Sequence, residues 1–297
     1  MKRKKRRRMK FSTDTIYVVI VYTVAIVTAL LWLYPLIFVL SASFSDPQEL
    51  LAGNVTLFPK GFTLDAYRYI FKNKNIMTGY RNTIFYSVVG TLYNMVLTVF
   101  AAYPLSKKNL RGRNVLTMFV TFTMFFGGGM IPTYLNLNSL HMLNTPWVMF
   151  IPSAISVTNF LIMRNYFIHS VPEELTEAAY MEGASQWQIL RKIVLPLSGS
   201  ILGVLTIYYM SGHWNAYFSA LIYLSDDQLM PLQIFLRRIL VLGSMDGMSS
   251  GNTISDQLIY ESLKYGIIVV STLPMLIAYL LVQKSFKKGI MMGSLKG

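Results

Sequence analysis

Apolar runs of about 20 residues recur along this chain, the length a helix needs to cross a bilayer, and short polar or charged stretches separate them. The first run covers Ile16 to Ser43. A polar segment follows, 45–80, holding FPKGFTLDAYRYIF, which reads as a turn and then a short helix starting near Thr63. Further runs cover 82–105, 115–135, 146–167, 197–224 and 265–282. The pattern predicts an all-α polytopic membrane protein with six transmembrane helices. Within 115–135, the glycines Gly127, Gly128 and Gly129 followed by Pro132 predict a weakened or kinked helix. That kink borders a water-filled path or serves close packing through small residues.

One stretch between apolar runs breaks this pattern. Residues 168–195 are amphipathic and charged. Ser170-Val-Pro-Glu173 reads as a capping box, with Pro172 suited to an early helical position. Glu173, Glu174 and Glu177 put acid in the first turns, where the helix dipole favours it. Gly183 ends the helix or lets another backbone approach closely. Ser185-Gln-Trp-Gln188 is a second capping box, and Pro196 opens the next apolar run. The expectation is two short helices around a glycine, lying across a membrane face as a docking surface.

Composition agrees with the pattern. Of 297 residues, 54% are hydrophobic and only 13% charged, which is too apolar for an ordinary soluble domain. There are no cysteines, so disulfides, cysteine zinc sites and thiol catalysis are excluded. The net charge is +14, and its distribution decides its meaning. Lys2 to Lys10 is basic at every position but Met9 and directly precedes the first apolar run, as expected of a flank held in the cytoplasm. That reading outweighs nucleic-acid binding and is compatible with attraction to membrane lipid. A cleavable signal peptide is not expected, because the apolar run is far too long. Lys and Arg gather in the N-terminus, the 107–113 loop, the 168–195 stretch and the tail, whereas the 136–145 loop has none. Both termini are therefore expected in the cytoplasm, with the 168–195 stretch on the same face.

All 13 acidic residues fall outside the expected spans. A proton- or sodium-coupled carrier usually holds a carboxylate at membrane depth, so energy is expected from elsewhere. The chain has no phosphate-binding G-x-x-x-x-G-K-[ST] element, so any ATP must be bound by another polypeptide.

Glu177-Ala178-Ala179, three residues, Gly183, nine residues, then Ile193-x-Leu195-Pro196 matches the full EAA signature of ABC-importer permeases. FFGGGMIPTYL and LNTPWVMFIPSAISVTNFLIMRNYF resemble the lipoprotein-associated, polysaccharide-type (LplC/YtcP-like) group of the carbohydrate-uptake, maltose-importer (MalG-like) family. The terminal GIMMGSLKG is similar to the end of carbohydrate permeases, so the resemblance covers most of the chain. It implies a type I importer permease (MetI-like) fold in the bacterial inner membrane. It also implies a second homologous permease, two ATPase subunits that bind ATP and Mg, and an extracytoplasmic solute-binding lipoprotein delivering carbohydrate. Glu177, Ala178, Ala179, Gly183, Ile193, Leu195 and Pro196 would then couple to the ATPase. The expected organisation is a basic N-terminus at 1–15, one permease domain at 16–285 with an outer loop at 225–261, and a tail at 286–297 inserting between the ATPase subunits.

Two further groups are candidates. Tyr208, Tyr209, Ser211, His213, Trp214 and Asn215 bring aromatic faces and amide or hydroxyl groups together, the chemistry a sugar path uses. Packing within the bundle is the other reading of the same residues. A lone His213 has no second ligand at metal spacing. In the outer loop, Arg237 and Arg238 are candidates for contact with the binding protein, or else lie on a solvated helix face. A different class stays open at this point, a membrane-embedded glycosyl- or acyltransferase. Its candidate carboxylates are Glu173, Glu174, Glu177 and Glu182, several of which helix capping also explains.

Overall fold

The computed structural model describes residues 13–240 and 254–293. Residues 1–12 of the expected N-terminus, 241–253 of the expected outer loop and 294–297 of the expected tail lie outside the described residues. The helices are α1 Thr13–Ser43, α2 Pro47–Leu51, α3 Asp65–Lys72, α4 Lys74–Ser106, α5 Arg113–Phe125 and α6 Met130–Ser139. They continue as α7 Val157–Ser170, α8 Glu173–Met181, α9 Gln186–Ile189, α10 Leu195–Leu197, α11 Gly199–Trp214, α12 Phe218–Tyr223, α13 Leu232–Leu240 and α14 Ile254–Gly293.

Among the described residues, three helices are long and apolar enough to span a membrane: Ile16–Ser43, Lys74–Ser106 and Tyr260–Gln283. Two bent pairs raise the number to five. The described residues thus carry three to five candidate spans rather than a clear six, and the reasons are local. The third run breaks at the glycines, where α5 and α6 meet at 110°. Gly129 there has φ +87°, a conformation side chains disfavour. The fourth run is only part helix: a 3-10 turn at Pro146–Met149, irregular chain to 156, then α7. Fourteen residues of α7 reach about 21 Å, short of a hydrocarbon core of about 30 Å. The fifth run opens on a bend, where the preceding Gln186–Leu197 helix and α11 meet at 82°.

The chain divides into two units, Met1–Arg68 with Ser250–Val269, and Tyr69–Ser249 with Val270–Gly297. In the first, α1 carries an apolar window with no buried residue, as a lipid-facing helix would. The segment after α1 folds on itself: Ser41 donates to the Leu57 carbonyl (2.6 Å), Ser43 bonds Tyr67 (2.8 Å), and Phe44 stacks between Phe62 and Tyr67.

The second unit is built on α4, which reaches about 50 Å at 1.5 Å per residue and packs against α7, α11 and α13. Its buried stripe runs Gly79, Thr83, Ser87, Gly90, Asn94, Thr98 and Ala102. Phe85, Val88, Leu92 and Val96 face out. Small and polar residues inside with apolar ones outside is the arrangement lipid favours, because interior contacts there rest on close approach and hydrogen bonds.

Two apolar cores close α4 at its ends. One joins Val99, Ala102, Tyr103 and Leu105 to Phe160, Met163 and Phe167 of α7 and Leu205 of α11. The other joins Tyr86 to Leu137, Met149, Phe150, Ile234 and Phe235. At that second end, Asn82 donates to the Gln228 and Met230 carbonyls, Tyr86 to the Leu229 carbonyl, and Thr83 accepts from the Leu232 amide.

Candidate functional site

The 171–197 loop sits at the first of these ends, beside the basic loop that follows α4. The expected capping box at Ser170–Glu173 does not form. Pro172 holds the cap position without a side-chain bond, and Glu173 instead accepts from Lys108 at 2.6 Å. That bond holds the Lys108 ammonium above its ordinary value, whereas burial pushes the neighbouring Lys107 below its own, opposed by the Glu173 charge. Lys107 also lies over the Tyr103 ring.

Gly183 ends α8 with φ +80°, and a Cβ placed there would meet nothing within 4 Å. Its conformation alone calls for glycine. The second capping box does form: the Gln188 amide donates to Ser185 Oγ, and Gln188 Oε1 accepts from the Ser185 amide. After α9, a π turn spans Leu190–Val194, with the Leu195 amide bonding the Leu190 carbonyl. Pro196 explains it, having no N–H to donate and a ring that crowds the carbonyl four residues back. Pro196 sits at the early position of the short α10, which continues this run, and α11 begins at Gly199 after the buried Ser198.

The signature residues separate by exposure. Glu177, Ala178, Gly183 and Pro196 are exposed, and Ile193 is half-buried. Ala179 and Leu195 pack against the core that Ile189, Leu190 and Val194 enter. Leu175, Tyr180 and Met181 of α8 are exposed, Met181 at 86%. Four contacts at this end were not readable from sequence spacing. Tyr103 donates to Gln186 Oε1 (2.9 Å), Phe100 stacks on Trp187, Arg164 Nε donates to the Leu105 carbonyl, and Lys108 pairs with Glu173.

The α11 cluster divides between two faces. Tyr209, His213 and Trp214 are buried. Tyr209 bonds Thr98 (2.7 Å) and accepts from the Ser156 amide, and Trp214 donates to the Ser271 carbonyl (2.9 Å). His213 Nε2 pairs with Asn94 Oδ1 at 2.5 Å, while Asn94 Nδ2 donates to the Ser153 and Ala154 carbonyls. The irregular 150–156 segment thereby has carbonyls satisfied by α4 and an amide satisfied by α11, the kind of side-chain support that non-helical backbone in a membrane protein needs. Asn94 and Thr98 were missed in the sequence; polar residues inside an apolar run were the available signal. Tyr208 and Asn215 are exposed and Ser211 half-buried on the other face, with Asn215 Nδ2 donating to the Ser211 carbonyl. On α13, Arg238 pairs with Asp227 (2.8 Å) and lies over Phe235, and Arg237 is half-buried.

This geometry defines an all-α, multi-pass membrane protein with a broken-helix bundle and an exposed two-helix loop at one end. The chain belongs to the family of binding-protein-dependent transport system inner membrane components, which it matches over residues 5–291. It is a permease subunit of an ABC import system. It is 39% identical to Protein LplC of Bacillus subtilis (strain 168), over 89% of each chain. It is 38% identical to that organism's polygalacturonan/rhamnogalacturonan transport system permease protein YtcP, over 96% of this chain and 99% of the relative. Among solved structures, it is 33% identical to a chain of a bacterial ABC transporter involved in the import of the acidic polysaccharide alginate, with a TM-score of 0.84 over 94% of this chain and 100% of that one.

Proposed function

We propose that this chain carries a carbohydrate, an oligosaccharide or polysaccharide fragment, across the inner membrane in an ATP-driven import complex. It pairs with a homologous permease. Two ATPase subunits hold ATP and Mg at the cytoplasmic face, and an extracytoplasmic solute-binding lipoprotein delivers the substrate. Residues 16–285 act as one permease domain, with both termini in the cytoplasm. The observation that carries this reading is the form of the signature loop. An exposed α8 shows Leu175, Tyr180 and Met181 outward, while the following run is rooted in the core that α4, α7 and α11 share. A push on α8 reaches the bundle through Ala179, Ile189 and Val194. Nucleotide-driven closure of the ATPase pair then swings the spans between outward-open and inward-open arrangements.

The carbohydrate follows from the relatives, whose names specify polygalacturonan, rhamnogalacturonan and alginate. Tyr208, Ser211 and Asn215, on the face of α11 turned away from the buried polar contacts, are the residues of the cluster that border the path. Arg237 and Arg238 contact the lipoprotein. The reading is tested by purifying the complex from its native operon. An ATPase subunit is expected to copurify, and loaded binding protein should stimulate ATP hydrolysis. A permease that purifies without any ATPase, at wild-type yield, would reject it.

A further inference from the structure

At the start of α4, the end away from the signature loop, Phe71, Lys72, Lys74, Met77, Thr78 and Arg81 line an open recess of about 320 Å3. Lys72 lies in the last turn of α3, and Lys74, Thr78 and Arg81 follow at helical spacing along one face of α4. Three cations therefore converge on one hollow. None has an ion-pair partner among the described residues. Along the sequence around them acid is scarce: no Asp or Glu occurs between Asp65 and Glu173. The acids on the loop bonded to neighbouring Asn82 are engaged within their own segment, Asp227 by Arg238 and Asp226 by the Gln228 amide. The first amides of α4 are capped by Asn73, so the recess is made by side chains rather than by the helix end.

The rest of the lining narrows the ligand. Phe71 is 58% exposed and Met77 42%, and Thr78 adds a hydroxyl. Cations for carboxylates, an aromatic face for ring C–H groups and a hydroxyl partner together suit an acidic sugar ring. A hollow of this size holds one or two such rings, whereas a docked protein face needs no hollow. A cluster of Lys and Arg on the outward side also runs against the bias of membrane topology, so it requires a local reason.

We propose that this recess is an outer receiving site for a uronate residue of the transported saccharide, holding its carboxylate by Lys72, Lys74 and Arg81 against Phe71. The inference deepens the importer reading and rests on it. The test uses the whole complex with its binding protein, in nanodiscs for ATP hydrolysis and in sealed proteoliposomes for uptake. The probes are trigalacturonate and its carboxyl-reduced neutral counterpart, and the readouts are ATPase stimulation and uptake. The K72Q/K74Q/R81Q variant should raise half-saturation for the acid roughly tenfold, as expected for exposed charge contacts that add, while the neutral probe is unchanged. Copurification with the ATPase and basal hydrolysis should stay at wild-type level, so a failure here is separable from failure of the importer reading. An equal shift for both probes would mean a lipoprotein contact and overturn the proposal. A shift that vanishes in discs free of anionic lipid would mean a lipid headgroup and overturn it as well. So would wild-type behaviour of the triple variant, or an importer that does not respond to the acid. Phe71→Leu should weaken the acid probe without changing its salt dependence; loss of that salt dependence would also count against the proposal.

Discussion

α8 and the run from Gln186 to Leu197 are joined by four residues, yet they meet the rest of the molecule in opposite ways. α8 buries one residue, Thr176, and turns Tyr180 and Met181 outward. The following run buries Ile189, Leu190 and Val194 to 3% or less and adds Tyr103 and Phe100 of α4 as partners. The first half leaves its apolar side chains uncovered, and the second is a root in the bundle. Both are amphipathic and short, so the difference comes from what each packs against, not from helix propensity. The contrast teaches where force can pass: a surface without a root would swing freely, and a root without a surface would have nothing to receive.

Leu190→Ala attacks the root and should have the largest effect on stability, about 2–5 kcal/mol for a buried truncation, read as a lower thermal midpoint in detergent. Gly183→Val attacks the joint between the halves. A β-branched residue at φ +80° should cost about 1–2 kcal/mol, and Gly183→Asn should recover part of it, checked by midpoint and ATPase copurification together. Tyr103→Phe removes one hydrogen bond to the root and should cost about 1 kcal/mol, seen in the same melt. Met181→Ala should leave the midpoint within about 0.5 kcal/mol of wild type while lowering stimulated ATP hydrolysis. A stability loss from Met181→Ala equal to that from Leu190→Ala would erase the distinction. Lys108→Gln should do least to the midpoint, since its pair with Glu173 is exposed. Because Glu173 raises the Lys108 pKa, that pair's contribution is present below the ordinary lysine value and fades only as pH rises through the raised one. The midpoint difference between wild type and Lys108→Gln should therefore stay flat from neutral pH to the mildly alkaline range.

The sequence made some of this legible and not the rest. α1 and α4 follow their hydropathy because nothing in them opposes a continuous helix. The break at Gly127–Gly129 was readable because glycine acts locally. The 146–167 run is not one continuous helix because Pro146 and the 150–156 chain outweigh its apolarity, and because Asn94 and Tyr209 support unwound backbone from distant positions. The Ser185–Gln188 box was legible and formed; the Ser170–Glu173 box lost its carboxylate to Lys108, a partner 65 positions away. Facing was the other gap. Helical spacing puts Tyr208, Ser211 and Asn215 on one stripe of α11 and Tyr209 with His213 on another, but only packing shows which stripe α4 covers.

The stacked pair Phe100–Trp187, 5.9 Å apart and 17° from parallel, has a practical sequel. The chain has four tryptophans, and this indole alone sits on the Gln186–Leu197 run. With Trp32 and Trp147 changed to phenylalanine, its ultraviolet emission could be followed against a buried Trp214 background. The protein would then supply its own optical gauge of the loop during turnover, with no dye attached.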